Sequence, residues 1–358
     1  MPTLAEQIDF VLGVDTHKHS HTAALVTPSG GLVVHLSVSA DADGYARLLA
    51  FAREHATGRR IWAIEGTGSF GAGLTAHLLE HAEWVVEIDR PKRPARRNGA
   101  QTDELDALRA AREALSREHL AQPRRRGDRE ALRVLLATRK EVVQTRTRAI
   151  NHLKALVINA PEAMRAELRS FKTGALVVHC ATLQTCTAPS SAERAATVLT
   201  LQLTARRIQS LEAEAAELEA QIEPLVQVLA PRLRAEFGVG PISAAQIICA
   251  WSHAGRLRSE AAFAALGGVA PIPASSGQVQ RHRLNRSGDR QLNCALHTIV
   301  ICRLARHAET QAYATRRAAQ GKSAREITRC LKRHLARRLF KLLEAGPQDS
   351  CPDLELAA

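Results

Sequence analysis

The stretch Phe10-Val11-Leu12-Gly13-Val14-Asp15 decides the fold, because it is a short apolar run that ends in an acid. Such a run is typical of a buried β-strand. Residues 21–26 and 32–38 have the same apolar character, and the turn residues Thr27-Pro28-Ser29-Gly30-Gly31 lie between them. We therefore expect three strands that form an antiparallel meander.

Strand and helix patterns continue to alternate up to about residue 120. They predict a helix over residues 42–56, a strand over 60–65, a helix over 74–81 and a fifth strand over 84–89. Three antiparallel strands, a helix and then strand–helix–strand is the order of a ribonuclease-H-like sheet. The N-terminal part of the chain is therefore predicted to be an α/β domain.

The remainder of the chain is predicted to be mainly helical. Residues 128–156 read as one long basic helix, and residues 192–229 as a second long helix with apolar residues at near-heptad spacing. Residues 173–191 between them read as irregular. Two long helices flanking a break favour an antiparallel coiled-coil arm or a dimerisation element, and an ordinary helical bundle is the alternative.

Four segments follow from these patterns. We predict an α/β domain over residues 1–122, a helical or coiled-coil region over 123–230, a mainly helical C-terminal domain over 231–345 and a disordered tail over 346–358. A chain of 358 residues is long enough for two or three such domains.

The charge balance points to a polyanionic partner. The chain has 49 Lys and Arg against 36 Asp and Glu, a formal net charge of +13. Phosphate backbones are a common reason for such a surplus, and the alternative is a genome whose codon usage favours Arg. No apolar run approaches the ~20 residues of a membrane span, and the first residues have no basic region typical of a secretion signal. We expect a cytoplasmic, nucleoid-associated protein with no membrane contact.

Four acids form the first candidate site. Asp15 and Glu65 each end a predicted strand, and these strands are neighbours in the proposed sheet. Asp103 and Asp106 are three residues apart, so on a helix they share one face. Four converging carboxylates repel one another unless divalent cations bind, and Mg²⁺ prefers oxygen ligands. For each acid alone, a solvated strand end or a helix cap is the alternative.

Three histidines follow Asp15 at alternate positions, namely His17, His19 and His21. They could share one face of a sheet and bind a metal ion. A solvated strand edge is the interpretation that we favour.

A second candidate site follows Pro271, where Ser275-Ser276-Gly277 lies in a loop rich in Pro and Gly. Guanidinium groups bind phosphate and stabilise charge that develops during phosphoryl transfer. A serine hydroxyl beside them could attack phosphorus, although the residues alone favour a turn serine in a phosphate-binding loop. The basic residues that follow are Arg281, Arg283, Arg286 and Arg290.

Together these motifs resemble those of the DEDD-type insertion-sequence transposases. The resemblance is carried by Gly13-Val14-Asp15, Ile64-Glu65-Gly66-Thr67-Gly68 and Thr102-Asp103-x-x-Asp106, and by the spacing from Pro271 to Gly277. It implies a domain similar to the RuvC Holliday-junction resolvase with Asp15, Glu65, Asp103 and Asp106 as ligands of two Mg²⁺ ions. It also implies that Ser276 is the nucleophile, with Ser275 as the reserve candidate. Gln101, which replaces a frequent Lys, is not a ligand position.

The resemblance further implies an activity and partners. The protein is expected to excise and insert its element by cutting and rejoining donor and target DNA, guided by a structured bridge RNA. It is expected to act as a dimer or tetramer in which one subunit's acids and another's serine form composite sites. The alternatives are a metal-dependent nuclease for branched DNA and a non-catalytic basic protein that binds nucleic acid.

Overall fold

The computed structural model describes residues 4–88, 102–117, 120–184, 191–274 and 282–345. Two compact units can be distinguished, an N-terminal unit, Met1–Arg125, and a C-terminal unit, Arg126–Ala358.

The N-terminal unit is built on a five-stranded sheet in the order β3-β2-β1-β4-β5. Strands β1 to β3 are antiparallel, whereas β4 is parallel to β1 and β5 is parallel to β4. The topology predicted from the sequence is therefore confirmed. The strands are β1 (Phe10–Thr16), β2 (Ser20–Val26), β3 (Leu32–Ser39), β4 (Arg60–Glu65) and β5 (Val85–Ile88).

Helices cover both faces of this sheet. On one face Leu12 and Val14 of β1 pack in a core with Leu48 and Leu74. On the other face Val11 packs in a core with alanines of the fourth helix. The helices are α1 (Leu4–Gln7), α2 (Ala42–His55), α3 (Ala72–Glu80) and α4 (Asp103–Ser116). Because side chains alternate along a strand, Val11, Gly13 and Asp15 all face α4.

Two long helices dominate the first half of the C-terminal unit, α5 (Asp128–Ile158) and α8 (Ala192–Leu229). Arg139 of α5 pairs with Glu219 of α8 at 2.9 Å, and Arg146 with Glu212 at 3.8 Å. Residue numbers rise along α5 as they fall along α8, so the two helices form an antiparallel hairpin within one chain. The predicted pair of long helices is confirmed, and whether it forms a coiled coil stays a prediction.

The prediction that residues 173–191 are irregular is wrong for their first half. The segment between the long helices contains α6 (Glu162–Leu168) and α7 (Thr173–Ala181). Leu176, Val177 and Cys180 of α7 are buried against α8 in the core at this end of the hairpin. Tertiary burial stabilises a helix too short to be recognised from its own periodicity.

Burial along the hairpin is concentrated at its two ends. At one end Leu153 of α5 packs with Leu201 and Ile208 of α8. At the other end Leu132 of α5 packs with Ile222 of α8. Between these clusters, the described side chains of the two helices include only two that are buried, Val142 and Ala215.

The rest of the C-terminal unit shares one core with the base of this hairpin. Phe263, Leu296 and Leu339 pack in the same core as Leu132 and Ile222. The elements are α9 (Pro231–Arg234), α10 (Pro241–Trp251), α11 (Glu260–Leu266), β6 (Ile272–Pro273), β7 (His282–Arg283), α12 (Arg290–Arg306), α13 (Ala308–Ala319) and α14 (Ala324–Glu344). Within the described ranges, none of the helices has the length and apolar character needed to cross a membrane.

Candidate functional site

Asp15 lies at the end of β1 and faces α4. Helix α4 passes directly over Gly13, two residues earlier in β1. A Cβ atom on Gly13 would lie 2.1 Å from the carbonyl oxygen of Ala107 and 2.4 Å from the amide nitrogen of Ala111. This close approach brings the first turn of α4, with Asp103, to the end of β1. Thr102 caps that turn, since its Oγ1 accepts a hydrogen bond from the amide of Leu105 at 3.3 Å.

Three side chains meet at this point. Nε2 of His17 lies 3.2 Å from Oδ2 of Asp15 and 3.4 Å from Oδ1 of Asp103. One possible ligand atom from each of the three residues lies within 4.8 Å of the others. We call Asp15, His17 and Asp103 the acidic cluster. The side chain of Asp15 is 11% exposed, whereas those of His17 and Asp103 are about half exposed, so the cluster is open to solvent on one side.

The electrostatics of the acidic cluster favour a cation. Burial raises the pKa of Asp15 above its usual value, the neighbouring His17 opposes this effect, and the charges of Asp106 and Asp103 raise the pKa further. A largely buried carboxylate with like charges beside it is poorly stabilised by the protein alone. Two carboxylates and an imidazole at these distances are donors that fit a divalent metal ion.

The other two predicted ligands lie beside the acidic cluster but outside it. In β4, Ile64 is paired with Val14 of β1, so Glu65 follows at the same level of the sheet as Asp15. The hydroxyl of Thr16 donates a hydrogen bond to the backbone oxygen of Glu65 at 2.9 Å. The carboxylate of Asp106 accepts a hydrogen bond from Nη1 of Arg109 at 2.6 Å. All four acids are thus at one end of β1 and β4, and two of them are in close contact with His17.

The histidines do not share a sheet face, as the alternate spacing suggested. His17 and His19 lie in the turn between β1 and β2, whereas His21 belongs to β2. The solvated strand edge that we favoured is wrong for His21, which is fully buried and stacks on Tyr45 with ring centroids 5.7 Å apart. Burial lowers the pKa of His21. His17 was considered as a metal ligand only together with His19 and His21, and the structure brings it alone of the three to Asp15 and Asp103.

The predicted serine segment is framed by a short hairpin. Ile272 of β6 pairs with Arg283 of β7, and Pro273 pairs with His282. Ser275, Ser276 and Arg281 lie outside the described residues.

The other three predicted arginines are exposed and line one cavity of about 950 Å³, which we call the basic cleft. Its loop side is formed by residues 267–271 and 282–290, which include Arg283, Arg286 and Arg290. The structure therefore brings these three residues together on one surface. Guanidinium groups in such an arrangement can bind phosphate oxygens.

The loop side of the basic cleft is fixed by close backbone packing. Gly268 has φ +64°, and a Cβ there would lie 2.7 Å from the carbonyl oxygen of Ser287. Gly288 has φ +105°, and a Cβ there would lie 2.5 Å from the carbonyl oxygen of Leu266. Only glycine allows both the backbone conformation and the approach. Asp289 then caps α12, because Oδ1 accepts hydrogen bonds from the amides of Gln291 and Leu292.

Comparison with protein families gives two matches. Residues 12–159 match the model DEDD_Tnp_IS110, described as a transposase, and this range includes all four acids. Residues 230–315 match the model of the transposase IS116/IS110/IS902 family, and this range includes the serine segment and the arginines of the loop. A comparison with curated proteins finds no match. Two models of one type of transposase, each on the part of the chain that carries one of the two sites, together cover about two thirds of the 358 residues. The chain belongs to the IS116/IS110/IS902 family of DEDD transposases.

Proposed function

We propose that this transposase excises and inserts an insertion sequence through two chemical sites, a metal centre at the acidic cluster and a serine nucleophile in the loop beside the basic cleft. Family membership establishes a DNA-cutting and rejoining enzyme whose DEDD domain uses a divalent metal. The observation that carries the finer proposal is the acidic cluster itself, in which Asp15 and Asp103 of separate elements approach the same imidazole.

In this proposal Asp15, Glu65, Asp103 and Asp106 hold the metal, and we propose Mg²⁺, with two ions for each site. Bound divalent ions stabilise charge on the oxygens that attack and leave phosphorus. The chain's own part is to hold the carboxylates at the ends of two paired strands and one helix turn. The raised pKa of Asp15 supports this assignment, because burial and the charges of Asp106 and Asp103 outweigh the opposing effect of His17.

Ser276 is the proposed nucleophile, with Ser275 as the reserve candidate, and both assignments rest on the sequence. The hydroxyl oxygen of Ser276 attacks a DNA phosphorus, its proton is lost to a base, and the bond to one strand's sugar oxygen breaks as that oxygen takes up a proton. A phosphoserine link conserves the bond energy, so another strand's hydroxyl can reverse the step. Arg283, Arg286 and Arg290, with Arg281, bind the phosphate that is transferred.

We also propose that donor and target DNA are selected by a structured bridge RNA and that the active form is a dimer or tetramer. The net charge of +13 is consistent with more than one nucleic-acid partner. The long hairpin of α5 and α8 is the element that we propose for assembly.

The test is a recombination assay in cells with donor and target plasmids and the element's flanking non-coding DNA. We expect Ser276→Ala and Asp15→Ala each to abolish joined product while the protein remains folded, and Ser275→Ala, the matched control, to retain it. A nicked DNA substrate should also trap a protein–DNA adduct that resists denaturant in the wild type and is absent from Ser276→Ala.

Normal recombination by Ser276→Ala with loss by Ser275→Ala would make Ser275 the nucleophile, and normal recombination by both variants would show that neither serine reacts. The metal-dependent nuclease interpretation would then replace the two-site one. If Asp15→Ala also recombined normally, neither site would have the proposed role.

A further inference from the structure

The side of the basic cleft that faces the loop is formed by α12, α13, α14 and the turn between α13 and α14. The cations on this helical side are Arg317, Lys322, Arg329, Lys332 and Arg333. Helix α14 begins at Ala324, beyond residue 315 where the second family match ends. Helix α14 therefore lies outside the family match that includes the loop arginines.

The acids that line the cleft are fewer than its cations. Among the described residues, the lining includes two acids, Asp289 and Glu326. Asp289 accepts hydrogen bonds from the first amides of α12. Glu326 closes a capping box with Ser323 at the start of α14. Both carboxylates cap helices, and Glu326 also lies 3.8 Å from Nζ of Lys322. The cleft still has more cations than acids, so it keeps a surplus of positive charge.

Ion pairing differs between the faces of α14. Away from the cleft, Arg338 pairs with Glu236 at 2.8 Å, and Arg337 and Lys341 pair with Glu260. On the cleft side, no described carboxylate lies within 4.0 Å of the charged groups of Arg329, Lys332 or Arg333. The three cations of α14 that face the cleft thus lack the carboxylate partners that those on its other side have, which favours an anionic ligand at the cleft.

Among these cations, Lys332 is linked by hydrogen bonds to the loop side of the cleft. Its Nζ donates a hydrogen bond to Oδ1 of Asn293 at 3.0 Å, and Nδ2 of Asn293 donates one to the carbonyl oxygen of Gly267 at 2.6 Å. The ammonium group is therefore positioned relative to the loop of the cleft. Burial and the neighbouring Arg329 lower the pKa of Lys332. An anion bound there would stabilise a charge that the fold by itself disfavours.

We propose that α14 binds a phosphodiester group of the nucleic-acid backbone through Lys332, assisted by Arg329 and Arg333. The inference deepens the proposed function, since the ligand would be a strand on which the serine site acts. The geometry defines phosphodiester chemistry, which DNA and RNA share, and the experiment separates these sources. Lys332 is a positioning residue in this assignment, because it holds the backbone and does not react.

The test measures binding of the full chain to a short fluorescein-labelled DNA duplex and to a labelled RNA hairpin, by anisotropy at several salt concentrations. All proteins carry Ser276→Ala, so that strand cutting does not interfere. The variants are Lys332→Gln and Lys332→Arg, and the matched control is Lys341→Gln on the same helix outside the cleft. The double variant Arg329→Gln/Arg333→Gln tests the same surface with exposed side chains, whose replacement leaves the core intact.

We expect Lys332→Gln to weaken binding about tenfold and to reduce the slope of log K against log salt by about 0.9 for duplex DNA, the value of one phosphate contact. Lys332→Arg should retain most affinity, and Lys341→Gln should match the parent. A loss of affinity for DNA, for RNA or for both supports the site and identifies which nucleic acid it binds. Unchanged affinity and slope for both Lys332→Gln and the double variant overturn the proposal. Because binding is read without strand cutting, this outcome is independent of whether Ser276 is the nucleophile.

Discussion

Asp15 is the residue at which burial and function oppose each other. Its carboxylate is largely buried beside two like charges, which raises its pKa. Removing that charge while keeping the shape should stabilise the metal-free protein, so we predict that Asp15→Asn has a melting temperature a few degrees higher than the wild type in EDTA at neutral pH. Mg²⁺ or Mn²⁺ should stabilise the wild type and have little effect on the variant. Differential scanning fluorimetry measures both effects.

The same residue predicts a pH dependence. Because the pKa of Asp15 is raised on folding, the folded protein binds more protons than the unfolded chain between the usual and the raised pKa. The metal-free wild type should therefore lose stability as the pH rises through that window, and Asp15→Asn should lack this part of the loss. A less stable Asp15→Asn in EDTA would mean that the protein satisfies this carboxylate by itself, which contradicts a metal centre.

The position of a site residue could be predicted from the sequence where that residue begins or ends a regular helix or strand. Asp15 and Glu65 end paired strands, and Asp103 starts a helix, so their convergence follows from the predicted topology. His17 could not be placed in the same way, because it lies in a turn whose path depends on tertiary contacts. Ser276 lies outside the described residues and stays a prediction.

The contact between β1 and α4 is the element-scale feature that assembles the acidic cluster, the proposed metal site. Since the space above Gly13 is occupied by backbone atoms of α4, a methyl group there forces the helix away. We predict that Gly13→Ala costs about 1–3 kcal/mol of folding free energy and reduces the stabilisation by divalent metal, because Asp103 moves with α4. Urea unfolding with and without Mg²⁺ measures both effects.

Gly174 in α7 offers the matched control. A Cβ there meets nothing within 4 Å, so Gly174→Ala should be neutral or stabilise by about 0.4–1 kcal/mol, with metal binding unchanged. If Gly13→Ala kept the full metal effect, the close approach of α4 would not be what positions Asp103.

The ends of a helix could be predicted where the local sequence has a capping residue or a proline at the boundary. The helix predicted over residues 192–229 coincides with α8, whose Ser191 accepts a hydrogen bond from the amide of Arg194 and whose successor begins at Pro231. Helices α6 and α7 lack such a side-chain cap. Their stability depends on the core that they form with the long helices. Such tertiary contacts cannot be predicted from the local sequence.

At the scale of the whole molecule, the hairpin of α5 and α8 combines two heptad series along α8 that differ in character. Along α8, positions 201, 208, 215 and 222 are apolar and buried. The parallel series 198, 205, 212, 219 and 226 is apolar at its ends but has Glu212 and Glu219 at its centre. These two acids pair with Arg146 and Arg139 of α5. The centre of the hairpin is thus held by ion pairs and its ends by apolar packing.

This arrangement predicts uneven protection in hydrogen exchange. Amides near residues 139–146 and 212–219 should exchange faster than those of either end, and added salt should widen the difference because it screens the ion pairs. Mass-spectrometric exchange on the whole chain tests this. Uniform protection along both helices would show that the central ion pairs hold the helices as firmly as the apolar ends do.

The polar centre also has a mechanical consequence. Helix α5 has 31 residues and at 1.5 Å per residue is about 46 Å long, so a small bend at its midpoint displaces the far end by several ångströms. Resistance to bending is lowest where little apolar surface must be exposed, and here that place is the middle. The hairpin of α5 and α8 therefore bends most easily at its middle. Its end that carries α6 and α7 can change direction while the apolar cores at the two ends stay packed.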